Sequence, residues 1–146
     1  IVNDRPDIAK VVHADGVHVG QEEMSVVDAR SIVGPKMLVG VSTHNLQQAR
    51  QAVLDGADYI GIGPVFPSQT KDFQELINLD LVEEITGEIG IPTFAIGGMN
   101  LDRTDDVIRR GAARIAVSHA LWHAEDLRDV ARQFRAKLAS QRVATP

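Results

Sequence analysis

The chain of 146 residues carries a formal net charge of −5, from 15 basic and 20 acidic side chains. That balance offers no basic surface for nucleic acid or an anionic membrane, so any affinity for phosphate has to be local. There is no cysteine, which excludes disulfides and thiolate metal sites, and no apolar run approaches the roughly 20 residues of a membrane-spanning helix, so a cytoplasmic protein is expected.

From the first residue onward, β-branched or aliphatic runs fall at 1–2, 16–19, 37–41, 59–63, 93–96 and 114–117, and helical patterns occupy 6–13, 26–32, 46–54, 79–85, 102–110 and 127–138. The apolar runs are continuous, which predicts strands buried on both faces. Their alternation with helices predicts parallel βαβ units. In the third helical segment Leu46, Ala49, Ala52 and Val53 share one face, while Gln47, Gln48, Arg50 and Gln51 mostly take the others, so the apolar face should cover the sheet. Helix exits recur as His13-Ala14-Asp15-Gly16, Gly56-Ala57-Asp58-Tyr59 and Gly111-Ala112-Ala113-Arg114. Gly56 and Gly111 stand where a left-handed residue ends a helix.

No linker or low-complexity tract divides the sequence, so residues 1–146 read as one domain with a frayed tail over 139–146. The class is α/β, a TIM-type (β/α)8 barrel with about six βα units present and the first two missing, since a complete barrel takes about 250 residues. The chain opens on Ile1-Val2-Asn3-Asp4, with no initiator methionine and no signal-like segment. An upstream part is therefore expected, or a homo-oligomer that completes the sheet edges left open near Ile1 and Ile115.

Each apolar run ends in small, polar or acidic residues: Asn3-Asp4, Gly20-Gln21-Glu22-Glu23, Ser42-Thr43-His44, the loop from Pro67 to Lys71, Gly97-Gly98 and Ser118-His119. Chemistry at the C-terminal ends of strands is the habit of βα barrels. Asp4 and Glu22-Glu23 follow neighbouring strands and suit Mg2+, which takes one or two protein carboxylates and completes its shell with water and substrate phosphate oxygens. Equally, Asp4 can cap the next helix and Glu23 can be a solvated loop charge. Ser68 and Thr70 offer hydroxyl donors and Lys71 a mobile cation to a phosphate, against the alternative of an ordinary turn.

Gly97-Gly98 lets backbone amides approach a ligand with no Cβ in the way. Barrels often bind phosphate between their last two strand loops, here with Ser118-His119 as the second. The five histidines show no zinc spacing, which argues against a zinc hydrolase. His13 reads as a helix end, His18 as a strand residue, Trp122 as packing and His123 as the start of the last helix. Only His44 and His119 reach the rim, where a neutral histidine commonly anchors a loop.

Val2-Asn3-Asp4-Arg5, Ala14-Asp15-Gly16-Val17-His18-Val19-Gly20-Gln21-Glu22, Gly40-Val41-Ser42-Thr43-His44, Gly61-Ile62-Gly63-Pro64-Val65-Phe66-Pro67, Thr70-Lys71 and Ala95-Ile96-Gly97-Gly98, in that order, resemble the thiamine phosphate synthases. The resemblance spans nearly the whole chain and implies a transferase that joins aminopyrimidine methyl diphosphate to thiazole phosphate with release of pyrophosphate. It assigns Asp4 and Glu23 to Mg2+, Asn3 to the diphosphate, and Ser42 to the reacting pyrimidine and pyrophosphate. Ser68, Thr70 and backbone amides around Gly98, Ser118 and His119 would hold the thiazole phosphate, and Lys71 would neutralise pyrophosphate.

Four departures stand out. Glu23 replaces the family's usual aspartate, the residues after Lys71 leave the usual pattern, the last phosphate loop has its serine one position early at Ser118, and an earlier diphosphate-binding strand with glutamine, arginine and lysine has no counterpart. Impaired synthesis by this chain alone is therefore expected. The alternatives are a thiazole tautomerase of the same superfamily and a noncatalytic phosphate-binding fragment or subunit.

Overall fold

Strand and helix alternate throughout residues 1–67 and 76–141, the parts of the chain that the computed structural model describes. The order is β1 (Val2–Asn3), α1 (Pro6–Val11), β2 (Gly16–Val19), α2 (Val26–Val33), β3 (Leu38–Thr43), α3 (Leu46–Leu54), β4 (Tyr59–Ile62), α4 (Leu79–Glu88), β5 (Thr93–Ile96), α5 (Leu101–Arg109), β6 (Ile115–Ala116), α6 (His119–Trp122) and α7 (Leu127–Gln141). All neighbours pair parallel in the sequential order β1-β2-β3-β4-β5-β6. Right-handed crossovers that always step the same way put every helix on one side, so the six strands form the wall of a half-barrel.

The two faces of that wall differ. Val17, Val19, Val39, Val41, Ile60, Ile62 and Ala95 face the helices and are buried, packed among Ala9, Ala29, Ala49, Ala52, Val82, Ile85 and Val107. Residues of the other parity face inward, among them His18, Gly40, Ser42, Tyr59, Gly61 and Ile96. Leu38 and Ile96 are 45% and 42% exposed there. Burial on both faces, predicted from the continuous apolar runs, therefore holds only for the helix side.

The recurring helix exit is a shared backbone motif. Ala14 N, Ala57 N and Ala112 N donate to the carbonyls of Ala9, Ala52 and Val107 at 3.0, 2.9 and 3.0 Å. In each case the preceding residue is left-handed: His13 at φ 53°, Gly56 at 81° and Gly111 at 84°. This is the Schellman arrangement, which returns the chain to the next strand. At the same rim Arg30 reaches from α2 to the carbonyls of Gly34, Met37 and Gly56 and to Asp58 Oδ2 at 2.5 Å, while that same oxygen accepts from Val39 N at 2.7 Å.

Where helices leave the opposite rim, Ser25, Asn45, Asn78 and Asn100 each accept from the amide three residues on, at 2.8–3.1 Å. These caps set where each helix starts relative to the strand end before it. Several elements depart from the sequence reading, among them α4, which runs past Ile85 to Glu88. The four-residue helix α6 has no periodic pattern to announce it, and His123 closes it rather than opening the last helix. Strand β3 runs on through Ser42 and Thr43. Helix α7 continues through Ala139 and Ser140 to Gln141, past the break read at Leu138, and residues 142–146 lie outside the described part.

Candidate active site

At the C-terminal ends of the strands lies a cavity of about 1030 Å³. Asn3 from β1, Glu23 after β2, Ser42 of β3, Gly98 after β5, and Ser118 and His119 after β6 all line it. Residues far apart in sequence meet there because parallel strands all end at the same rim. Asp4 is not among the lining residues; its carboxylate accepts from Asn3 Nδ2 at 2.6 Å and its amide donates to the His18 carbonyl at 2.8 Å. It does not cap α1, which starts from Arg5 without a side-chain cap. Ser68, Thr70 and Lys71 lie outside the described residues.

The glycine pair joins two loops. Val65 N and Phe66 N, after β4, donate to Ile96 O and Gly97 O at 2.9 and 3.2 Å. Gly97 and Gly98 sit at φ 98° and 58°, and a Cβ on Gly98 would overlap the Phe66 and Pro67 carbonyls. Arg103, at the start of α5, ties the same loops: its Nη1 donates to Gly98 O at 2.8 Å and Pro67 O at 3.3 Å, with the guanidinium 5.2 Å from the Phe66 ring centroid. Sequence reading missed Arg103, although its place three residues into a helix that begins beside the glycine pair was visible.

Two histidines at the rim behave differently. His44 anchors a loop: its Nδ1 donates to Gly63 O at 2.6 Å and its backbone amide to Gln48 Oε1 at 2.7 Å. The His119 ring stacks on His123 with centroids 3.9 Å apart. Trp122, at the end of α6, is 80% exposed and does not pack as expected.

His18, read only as a strand residue, lies in the cavity wall, with Nε2 3.0 Å from Ser42 Oγ and Nδ1 3.1 Å from Tyr59 Oη. The alternation Gly16-Val17-His18-Val19-Gly20 already set it apart from the two valines. Burial pushes the His18 imidazole below its ordinary pKa, against the opposing pull of the Asp4 carboxylate. Burial, with the charge of Asp58, pushes the Tyr59 phenol up.

Among the described residues no group of three or more histidine, cysteine or acidic side chains gathers as a metal site. Two carboxylates at neighbouring strand ends are nevertheless a donor set that Mg2+ accepts when water and substrate oxygens complete its shell.

A singly wound parallel βα half-barrel, with polar groups from successive strand ends around one rim cavity, defines a barrel protein whose ligand is held by strand-end loops. Residues 1–121 match the family model for thiamine monophosphate synthase, and the chain belongs to that family. It is 53% identical over 137 residues to the thiamine-phosphate synthase of Chloroflexus aurantiacus, covering 93% of this chain and 63% of that protein. To the thiamine-phosphate synthase of Gloeobacter violaceus it is 48% identical over 126 residues, covering 86% of this chain and 37% of that protein. The solved thiamine phosphate pyrophosphorylase from Pyrococcus furiosus superposes with a TM-score of 0.85 at 37% identity, over 96% of this chain and 67% of that one. The chain thus spans less than two thirds of these curated relatives. No described helix is long and apolar enough to cross a membrane.

Proposed function

We propose that the cavity binds thiazole phosphate and aminopyrimidine methyl diphosphate and couples them to thiamine phosphate. The observation that carries this reading is the meeting of Asn3, Glu23, Ser42, Gly98, Ser118 and His119 around one cavity in a chain of this family. In the reaction the bond from the pyrimidine methyl carbon to the diphosphate oxygen breaks, and pyrophosphate leaves with the electron pair. The thiazole nitrogen lone pair then forms the new C–N bond, so no protein nucleophile is required.

The backbone around Gly98, Ser118 and His119 would hold the thiazole phosphate, with Ser68 and Thr70, and so aim the ring nitrogen at the methyl carbon. Asn3 would face the diphosphate, Ser42 the pyrimidine, and Lys71 the departing pyrophosphate. Asp4 and Glu23 would hold Mg2+, which when bound neutralises charge on the leaving group. A cytoplasmic setting, and a homo-oligomer that completes the open barrel at the sheet edges near Ile1 and Ile115, complete the reading.

A product assay tests it. With both substrates and Mg2+, thiamine phosphate and pyrophosphate should form in equal amounts, at a rate impaired by the lack of the earlier diphosphate-binding strand, and chelation of Mg2+ should stop both. Saturable binding of thiazole phosphate, followed by Trp122 fluorescence, with no product under any metal condition would remove the synthase reading and leave a phosphate-binding protein.

A further inference from the structure

We infer that Tyr59 and His18 are positioning residues that fix Ser42 as a hydrogen-bond donor to an acceptor atom of the bound substrate. The inference rests on the proposed function only for the identity of that substrate. Its basis is one row of the sheet. His18 pairs in register with Gly40, and Gly40 with Tyr59. A Cβ on Gly40 would overlap the Tyr59 ring, so the glycine lets the phenol lean across β3 toward β2. From there the chain Tyr59 Oη, His18 Nδ1, His18 Nε2, Ser42 Oγ has links of 3.1 and 3.0 Å around the imidazole.

The direction of that chain follows from counting protons. A neutral imidazole donates from one nitrogen and accepts at the other. If Tyr59 donates to Nδ1, then Nε2–H donates to Ser42 Oγ, and the serine proton is free for the cavity that Ser42 lines. In the reverse chain Ser42 gives its proton to Nε2, and Nδ1–H donates to Tyr59. The phenolic proton is then left over in a half-buried layer, edge-on to the Phe94 ring 5.6 Å away, where His18 is the phenol's one hydrogen-bond partner among the described residues. The forward chain leaves its spare proton where a ligand can meet it; the reverse chain leaves it where nothing described does. Gln21 Nε2 donates to the Ser42 carbonyl at 2.7 Å and so holds the serine backbone independently of the relay.

The test is NMR of the chain with 15N-labelled histidine, in which the imidazole nitrogens report the tautomer without any ligand. The expected spectrum has His18 protonated at Nε2 and bare at Nδ1. Tyr59→Phe should populate the other tautomer, Gly40→Ala should act like Tyr59→Phe by displacing the ring, and Ser42→Ala should leave the tautomer unchanged. A wild-type His18 protonated at Nδ1 overturns the inference, and so does a tautomer that answers to Ser42→Ala but not to Tyr59→Phe.

The coupling to substrate is read in the product assay. Ser42→Ala should lower kcat/KM about tenfold, and adding Tyr59→Phe to it should change little, since both remove the same interaction. Additive losses would overturn the positioning role. A wild-type chain that binds but makes no product counts against the proposed function, while the tautomer result still decides the direction of the relay.

Discussion

At Gly98 the backbone is left-handed, at φ 58°, and an added methyl would press on the Phe66 carbonyl at 2.8 Å. Gly56 is also left-handed, at φ 81°, but nothing lies within 4 Å of where its Cβ would be. Alanine at Gly56 therefore meets only the conformational penalty, about 1 kcal/mol. Alanine at Gly98 adds the overlap and should cost about 3 kcal/mol in urea unfolding, with weaker binding of thiazole phosphate. Equal losses at the two sites would show that the loops after β4 and β5 are not packed as one unit.

His13 gives the opposite sign. It holds the left-handed position that Gly56 and Gly111 hold in the repeat. Relief of about 1–2 kcal/mol should outweigh the entropy that glycine adds to the unfolded chain, about 0.5–1 kcal/mol. His13→Gly should therefore stabilise by about 0.5 kcal/mol, read as a higher urea midpoint at unchanged slope. The sequence showed the two glycines and the repeat. It did not show that His18 and Tyr59, 41 residues apart, touch, because that contact depends on strand register and on a missing side chain at Gly40.

Alternation within the strands decides which substitutions matter at the level of the element. Ile60 is 0% exposed on the helix side of β4, whereas Leu38 is 45% exposed on the inner side of β3. Ile60→Ala removes packed methylenes and should cost about 3 kcal/mol. Leu38→Ala should cost less than about 1 kcal/mol, since the site already meets solvent. Paired urea titrations settle the comparison, and similar losses would mean that the inner face is covered in solution.

Several elements were legible to the residue: strands β2 and β5 and helix α3 have the limits read from their apolar patterns. Which side of an apolar run meets helices was only partly legible: the strand valines all fall on the helix side, but Ile96 and Leu38 lie on the inner side, and only the winding of the sheet says which parity the helices cover. Helix α6 was hidden for a related reason. Its four residues are too few to show a period, yet its start places Ser118 and His119 at the cavity.

Over the whole molecule, the charge of −5 sets how an anionic substrate arrives. Arg103 is the only permanent cation among the described residues lining the cavity, which also include Glu22 and Glu23, and its guanidinium already serves the Gly98 and Pro67 carbonyls. Lys71 is counted in the net charge and does not reverse it. A phosphate ester should therefore feel weak repulsion at long range and be held at short range by amides and hydroxyls. Salt screens the first effect and barely touches the second. Between about 10 and 100 mM salt the screening length falls from about 30 to about 10 Å, so association of thiazole phosphate should speed up, by about twofold, while dissociation stays nearly constant. Stopped-flow recording of Trp122 fluorescence at several salt concentrations measures both rates. An association rate that falls steeply with salt would mean that the substrate is steered by a local cationic surface, and that neutral donors at the strand ends are not what captures it.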